Sequence, residues 1–320
     1  MINVNDVTKQ YGSTLAVDHL SFKVRPGIVT GFLGPNGAGK TTTMRMMLGL
    51  DAPTTGEVTV NGQSYRKSPA PMRQVGALLD AKAANGGHTA RQHLRWVARA
   101  GGIPASRVSE VLELVGLSEV AEKRVGGFSL GMFQRLGIAV AMLGDPEILL
   151  FDEPVNGLDP EGIRWIRSFL QGLAAEGRTI LLSSHLMSEM EATADHIIVI
   201  GRGKLIADTT IAEFTQQSTQ SHVRVVTPEA PSLCPVLQRA GATISTNEGA
   251  LIVTGLDAAL IGNLAAQHSI ELHELSTRRA SLEAAFMELT ENSQQYRANT
   301  PAATNKLQTA KALVGMGNQS

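Results

Sequence analysis

The 320-residue chain has a single cysteine, Cys234, which excludes an internal disulfide framework. No Cys/His spacing of ligand type accompanies it, so no metal motif is readable from thiols, and a reducing compartment is expected. Excess charge is also lacking. The 28 Lys and Arg against 29 Asp and Glu leave a formal net charge of −1, and no basic block offers a footprint for nucleic acid or acidic lipid. No nucleic-acid partner is expected. The longest apolar stretch, around Leu136 to Leu143, falls far short of the roughly 18 residues that read as a membrane span. The opening "MINVNDVTKQYG" has no apolar core of signal-peptide type. The expectation is a chain that does not cross a membrane by itself.

Apolar material is present in quantity, 43% of residues, enough for one large core and one smaller one. Short apolar runs at Ile28 to Leu33, Val75 to Leu79, Ile148 to Phe151, Thr179 to Ser183 and His196 to Ile200 read as strands. Helical patterns at Lys40 to Leu48, Ala90 to Ala100, Val108 to Val115, Met132 to Leu143, Glu161 to Ala174 and Met187 to Ala194 alternate with them. That alternation predicts an α/β fold with a mostly parallel central sheet covered on both faces, and ligands beyond the carboxyl ends of its strands. From about residue 220 the order becomes βαββαβ, which predicts a small ferredoxin-like α+β domain over 220–290. Residues 291–320 are polar and small, and a disordered tail is expected there.

The run "GFLGPNGAGKTTTM" holds Gly34, four residues, then Gly39-Lys40-Thr41, placed between a predicted strand and a predicted helix. This is the phosphate-binding loop pattern. Its glycines let successive backbone N–H groups point at phosphate oxygens, and the helix N-terminus adds its positive dipole end. Lys40 would reach the β- and γ-phosphates and Thr41 would ligate Mg²⁺. Gly34, Pro35, Asn36, Gly37, Ala38, Gly39, Lys40, Thr41 and Thr42 are therefore the candidate nucleotide-binding residues, the ATP-binding set once the resemblance below is added. "ILLFDEP" then ends a second buried strand in two adjacent carboxylates. Asp152 is expected to hold Mg²⁺ through its water shell, and Glu153 to polarise the water that attacks the γ-phosphate.

"GGFSLGMFQRLGIAVAML" lies just before the carboxylate strand. It resembles the signature motif of ABC-type ATPases, with Ser129 and Gly131 at matching positions. Tyr11 in "KQYG" resembles their adenine-stacking aromatic, Asp159 in "NGLD" their dimer-contact loop, and His185 in "LLSSHLMSEME" the histidine that senses the γ-phosphate. The elements occur in the family's order over residues 1–216, so that segment is identified as an ABC ATP-binding domain, with a helical subdomain at about 86–145. The resemblance implies ATP and Mg²⁺ as cofactors, Glu153, His185 and Lys40 as catalytic residues, and two copies sandwiching two nucleotides head to tail. It extends to the ATPase subunits of bacterial drug and antibiotic exporters, which implies a separate integral membrane permease and a peripheral place at the cytoplasmic face of the cell membrane. The alternative is a soluble ABC ATPase that does not drive transport.

Two departures from the family pattern stand out. Leu130 and Met132 replace the first glycine and the glutamine of the usual LSGGQ. In "VGALLDAKAANGG", Asp80 stands where the family has a glutamine that reaches Mg²⁺ and reports to the permease. A carboxylate accepts but cannot donate an amide hydrogen bond, so Asp80 is carried as a candidate Mg²⁺ contact whose coupling role is altered.

Overall fold

The computed structural model describes residues 1–216, 218, 221–247, 249–278 and 280–292. Its centre is a six-stranded sheet of β3 (Val29–Leu33), β5 (Val75–Leu78), β6 (Ile148–Asp152), β7 (Thr179–Ser183), β8 (His196–Gly201) and β9 (Lys204–Thr210), in the order β5-β6-β7-β3-β8-β9. All neighbours are parallel except the β8–β9 pair. The strands are continuous apolar runs because both faces are covered. Along β6 the residues alternate between two cores: Leu149 and Phe151 face one, Ile148 and Leu150 the other.

The second of these cores is closed by α1 (Lys40–Met47) and by an antiparallel sheet of β1 (Ile2–Tyr11), β2 (Thr14–Val24) and β4 (Thr55–Val60), ordered β2-β1-β4. The sequence reading lacks this sheet. Its alternation is broken by register shifts between Val4 and Val7 and between Val7 and Lys9, and by left-handed backbone at Asp6 and His19. An extra residue in one strand moves every following side chain to the opposite face, so a period of two cannot be followed across it.

Helices cover the other face. These are α2 (Pro71–Gln74), α3 (Ala90–Ala100), α4 (Ser106–Leu114), α5 (Leu130–Met142), α6 (Pro160–Ala175), α7 (Met187–Thr193) and α8 (Ile211–Gln216). Their starts are chemically set. Thr89 and Gln92 exchange side-chain and backbone bonds of 3.1 and 2.9 Å ahead of α3, a capping box worth about 1 kcal/mol. Asp159 caps α6, with Pro160 at its first position.

The remaining elements are β10 (His222–Val226), α9 (Ala230–Arg239), β11 (Thr243–Asn247), β12 (Ala250–Thr254), α10 (Ala258–Gln267), β13 (Glu274–Arg278) and α11 (Leu282–Asn292). The sheet order β11-β12-β10-β13, antiparallel throughout, is the ferredoxin-like topology, with its own core around Val223, Leu233, Leu237, Val253 and Ile261. Helix α11 leaves that core. Leu282, Ala285 and Phe286 are buried in the large core instead, and the Leu282 N–H donates to Glu191 Oε2 at 3.0 Å. Of the stretch expected to be a tail, Glu291 and Asn292 end α11, and residues 293–320 lie outside the described residues.

Candidate functional site

Three neighbouring strands, β6, β7 and β3, deliver their carboxyl ends to one place. The phosphate loop follows β3, Asp152 and Glu153 end β6, and His185 follows β7. The loop wraps a cavity of about 240 Å³ lined by Asn36, Gly37, Lys40 and Thr41 on one side and Asp152 and Glu153 on the other. Gly39, at φ 106°, turns the chain into α1, and a Cβ there would meet the Ala16 carbonyl at 2.7 Å. Only glycine fits that turn.

Lys40 is 8% exposed. Its ammonium donates to the carbonyls of Gly34 at 2.5 Å and Pro35 at 3.2 Å. Burial pulls its pKa below the usual lysine range, while the negative charges of Glu153 and Asp152 oppose that shift. Thr41 Oγ1 donates to Asp152 Oδ2 at 2.6 Å, and the Ser183 hydroxyl donates to the other oxygen of Asp152. Both carboxylate oxygens of Asp152 are thus fixed.

Glu153 has left-handed backbone, φ 52°, which costs a non-glycine residue about 1–3 kcal/mol. Its surroundings hold it there. Its N–H donates to Ser183 O at 3.2 Å and Ser183 Oγ at 3.0 Å; its carbonyl accepts from the Asn156 N–H at 3.2 Å and from Gln134 Nε2 at 3.4 Å. The side chain reaches His185, with Oε2 2.7 Å from Nδ1, and also accepts the His185 backbone N–H at 3.3 Å. A carboxylate that lines the phosphate-loop cavity and is held by an imidazole is thus present at the end of β6.

The family model described as ABC transporter matches residues 17–156, and one described as a domain of unknown function matches 221–283. The bacitracin transport ATP-binding protein BcrA of Bacillus licheniformis is 46% identical over 211 residues, covering 65% of this chain and 69% of its own. The uncharacterized ABC transporter ATP-binding protein YhcH of Bacillus subtilis is 38% identical over 297 residues, covering 91% of this chain and 96% of its own. The chain belongs to the ABC transporter family. A solved ATP-binding subunit of an ABC transporter superposes with a TM-score of 0.62 at 27% identity, over 68% of this chain and 92% of that one. The chain is an ATP-binding subunit of ABC type and an ATPase.

Ser129, Gly131, Asp159, Tyr11 and Asp80, expected from sequence resemblance to act at the site, do not line the phosphate cavity. Ser129 caps α5, its Oγ accepting the Met132 N–H at 3.2 Å. Gly131 backs onto the "NGLD" loop, where a Cβ would meet Gly157 O at 3.2 Å. Asp159 Oδ1 accepts the Gly162 N–H at 2.8 Å. Tyr11 ends β1, 46% exposed. Asp80 follows β5 and lines a different cavity, about 450 Å³, together with Ala77, Leu79, Trp96, Val97 and Val140. Thr41 and Asp152 do not line that cavity.

Two residues of the site escaped the sequence reading. Ser183 is fully buried and touches both Asp152 and the Glu153 N–H; its only sequence signal is the hydroxyl at the end of a strand otherwise apolar after Thr179. Gln134, 6% exposed, spends its amide N–H on the Glu153 carbonyl, and its Oε1 has no partner among the described residues. A buried glutamine in an apolar helix is the kind of irregularity that could have marked it.

Proposed function

We propose that the chain energises an exporter of antibiotics or related drugs, as one of two copies that close head to tail around two ATP molecules and part on hydrolysis. The name of the Bacillus licheniformis relative, a bacitracin transport protein, supports the substrate class. The observation that carries the mechanism is the bracing of Glu153 by His185 at 2.7 Å beside the phosphate loop.

On this reading the loop N–H groups and the N-terminus of α1 bind the phosphates. Lys40 trades its loop carbonyls for β- and γ-phosphate oxygens. Glu153 takes the proton of the attacking water as the bond to the γ-phosphorus forms and the bond to the β,γ-bridging oxygen breaks, and ADP leaves. His185 holds the Glu153 carboxylate in orientation. Thr41 and Asp152 would hold Mg²⁺. A hydroxyl and a carboxylate in contact at 2.6 Å, with no cluster of three or more His, Cys, Asp or Glu among the described residues, suit an ion that binds through one or two carboxylates plus phosphates. When bound, Mg²⁺ neutralises charge on the β- and γ-oxygens. Ser129 and Gly131 of a second copy would close over the γ-phosphate; in support, neither lines the phosphate cavity of its own chain.

A separate integral membrane permease is the other partner. Among the described residues no helix is long and apolar enough to cross a membrane. We assign its docking to the cavity around Asp80, where Trp96 and Leu50 are 66% and 55% exposed, and this sets the chain at the cytoplasmic face of the membrane. Asp80 would then serve coupling. We divide the chain into the ATP-binding unit 1–216, with its helical part at about 86–145, and an accessory unit 220–290 whose last helix straps back onto the first. Affinity purification of the tagged chain from solubilised membranes tests the proposal. The expected result is a polytopic membrane protein in stoichiometric amount; recovery with ribosomes or DNA in its place would contradict it.

A further inference from the structure

The base-binding end of the site carries a network with no part in the hydrolysis described above. Tyr11 pairs with Thr14 at the tip of the β1–β2 hairpin, and Ala16 of the same hairpin lines the phosphate cavity. One face of the Tyr11 ring is occupied: the Lys9 ammonium sits 4.7 Å from its centroid, held by a 2.6 Å bond to the Ala52 carbonyl. A cation over one face leaves the other for a stacking partner. The phenol donates to Asp51 Oδ2 at 2.9 Å, and Arg45 Nε donates to the same oxygen at 2.8 Å. Arg45 lies in the last turn of α1, the helix whose first turn follows Gly39 of the phosphate loop. The hydrogen bond from Arg45, and after it that from Tyr11, hold the Asp51 carboxyl below the usual carboxylate range, so at neutral pH it is an acceptor only.

We propose that Asp51 is a positioning residue for the nucleotide base: it ties the Tyr11 hydroxyl to Arg45, so that the uncovered ring face is presented to adenine at a set distance from the phosphates. The proposal rests on the reading of Tyr11 as the stacking platform. An exposed tyrosine that is already ordered loses less freedom when a base stacks on it. The benefit is specific to ligands that have a base.

The test is competition binding to the full chain with Mg²⁺, comparing a non-hydrolysable ATP analogue with tripolyphosphate, which has phosphates and no base. Asp51→Ala and Tyr11→Phe both remove the phenol–carboxylate hydrogen bond, Asp51→Ala releasing Arg45 as well, and each should weaken the analogue about three- to ten-fold, leaving tripolyphosphate unchanged. The double variant should lose no more than either single one, because both cut the same link. Asp51→Asn, which keeps an acceptor for the phenol, should lose less than Asp51→Ala. Tyr11→Ala should show the largest base-selective loss. If Tyr11→Ala leaves the analogue's affinity intact, the stacking platform itself is wrong. If Tyr11→Ala is base-selective while Tyr11→Phe and Asp51→Ala are silent, or weaken both ligands equally, the positioning role is overturned. Tyr11→Phe decides alone should Asp51→Ala fail to fold.

Discussion

Two cavities, one beside β5 and one between the loop after β3 and the end of β6, differ in nearly every respect. The one around Asp80 is the larger, about 450 Å³, and is walled mainly by Leu, Ala, Val and Trp96; the one at the phosphate loop is about 240 Å³ and walled by glycines, hydroxyls, Lys40 and two carboxylates. Size and apolarity would point to the first as a small-molecule site. On the function proposed above the chemistry belongs to the second, because a triphosphate is bound by backbone N–H groups and charge rather than by apolar area. The larger cavity has an exposed tryptophan at its edge, which suits a protein partner. Chemistry in one and transmission in the other is the proposed division, and substitutions can break it.

The largest effect is expected from Glu153→Gln in the small cavity: phosphate release should fall roughly 100- to 10,000-fold while binding of an ATP analogue persists, since binding uses the loop and turnover uses the base. Ser129→Arg should come next, at about a hundred-fold loss of ATPase activity, because an unpaired cation would be buried in the closed dimer. Lys40→Ala should weaken nucleotide binding about 10- to 100-fold, the range for a lost charge-assisted bond, seen directly in titrations with a fluorescent nucleotide. The larger cavity should behave in the opposite manner. Trp96→Ala and Asp80→Gln should leave the ATPase of the isolated chain within about two-fold while reducing recovery of the permease in pull-downs. A collapse of ATPase activity in Asp80→Gln would move Asp80 from coupling into the metal site and dissolve the contrast between the two cavities.

The same contrast marks how far the sequence could be read. The phosphate loop and the Asp152–Glu153 pair were legible because their residues are contiguous and their backbone requirements are strict, as Gly39 at φ 106° illustrates. The parallel strands were legible because burial on both faces leaves an unbroken apolar run, as in "ILLF". The antiparallel sheet was not, since bulges around Val7 and left-handed Asp6 and His19 erase its period. The cavity that Asp80 lines is shared with residues of α3 and α5, a tertiary arrangement that no local pattern carries. Helix α11 is amphipathic in sequence, but whether Leu282 and Phe286 bury in the small core or the large one is a tertiary choice, and the bond from the Leu282 N–H to Glu191 records the outcome. Ser183 and Gln134 were missed for a related reason: each hydrogen-bonds the Glu153 backbone from a segment distant in sequence, and such a bond leaves no trace in spacing.

Whether the signature residues of a second copy complete the small cavity can be read from the mass of the Glu153→Gln variant in solution with and without MgATP. A monomer is expected without nucleotide, a dimer of twice that mass with MgATP, and a return to monomer when Ser129→Arg is added. A Glu153→Gln chain that binds MgATP and stays monomeric across the concentration range, or a dimer indifferent to Ser129→Arg, would contradict it.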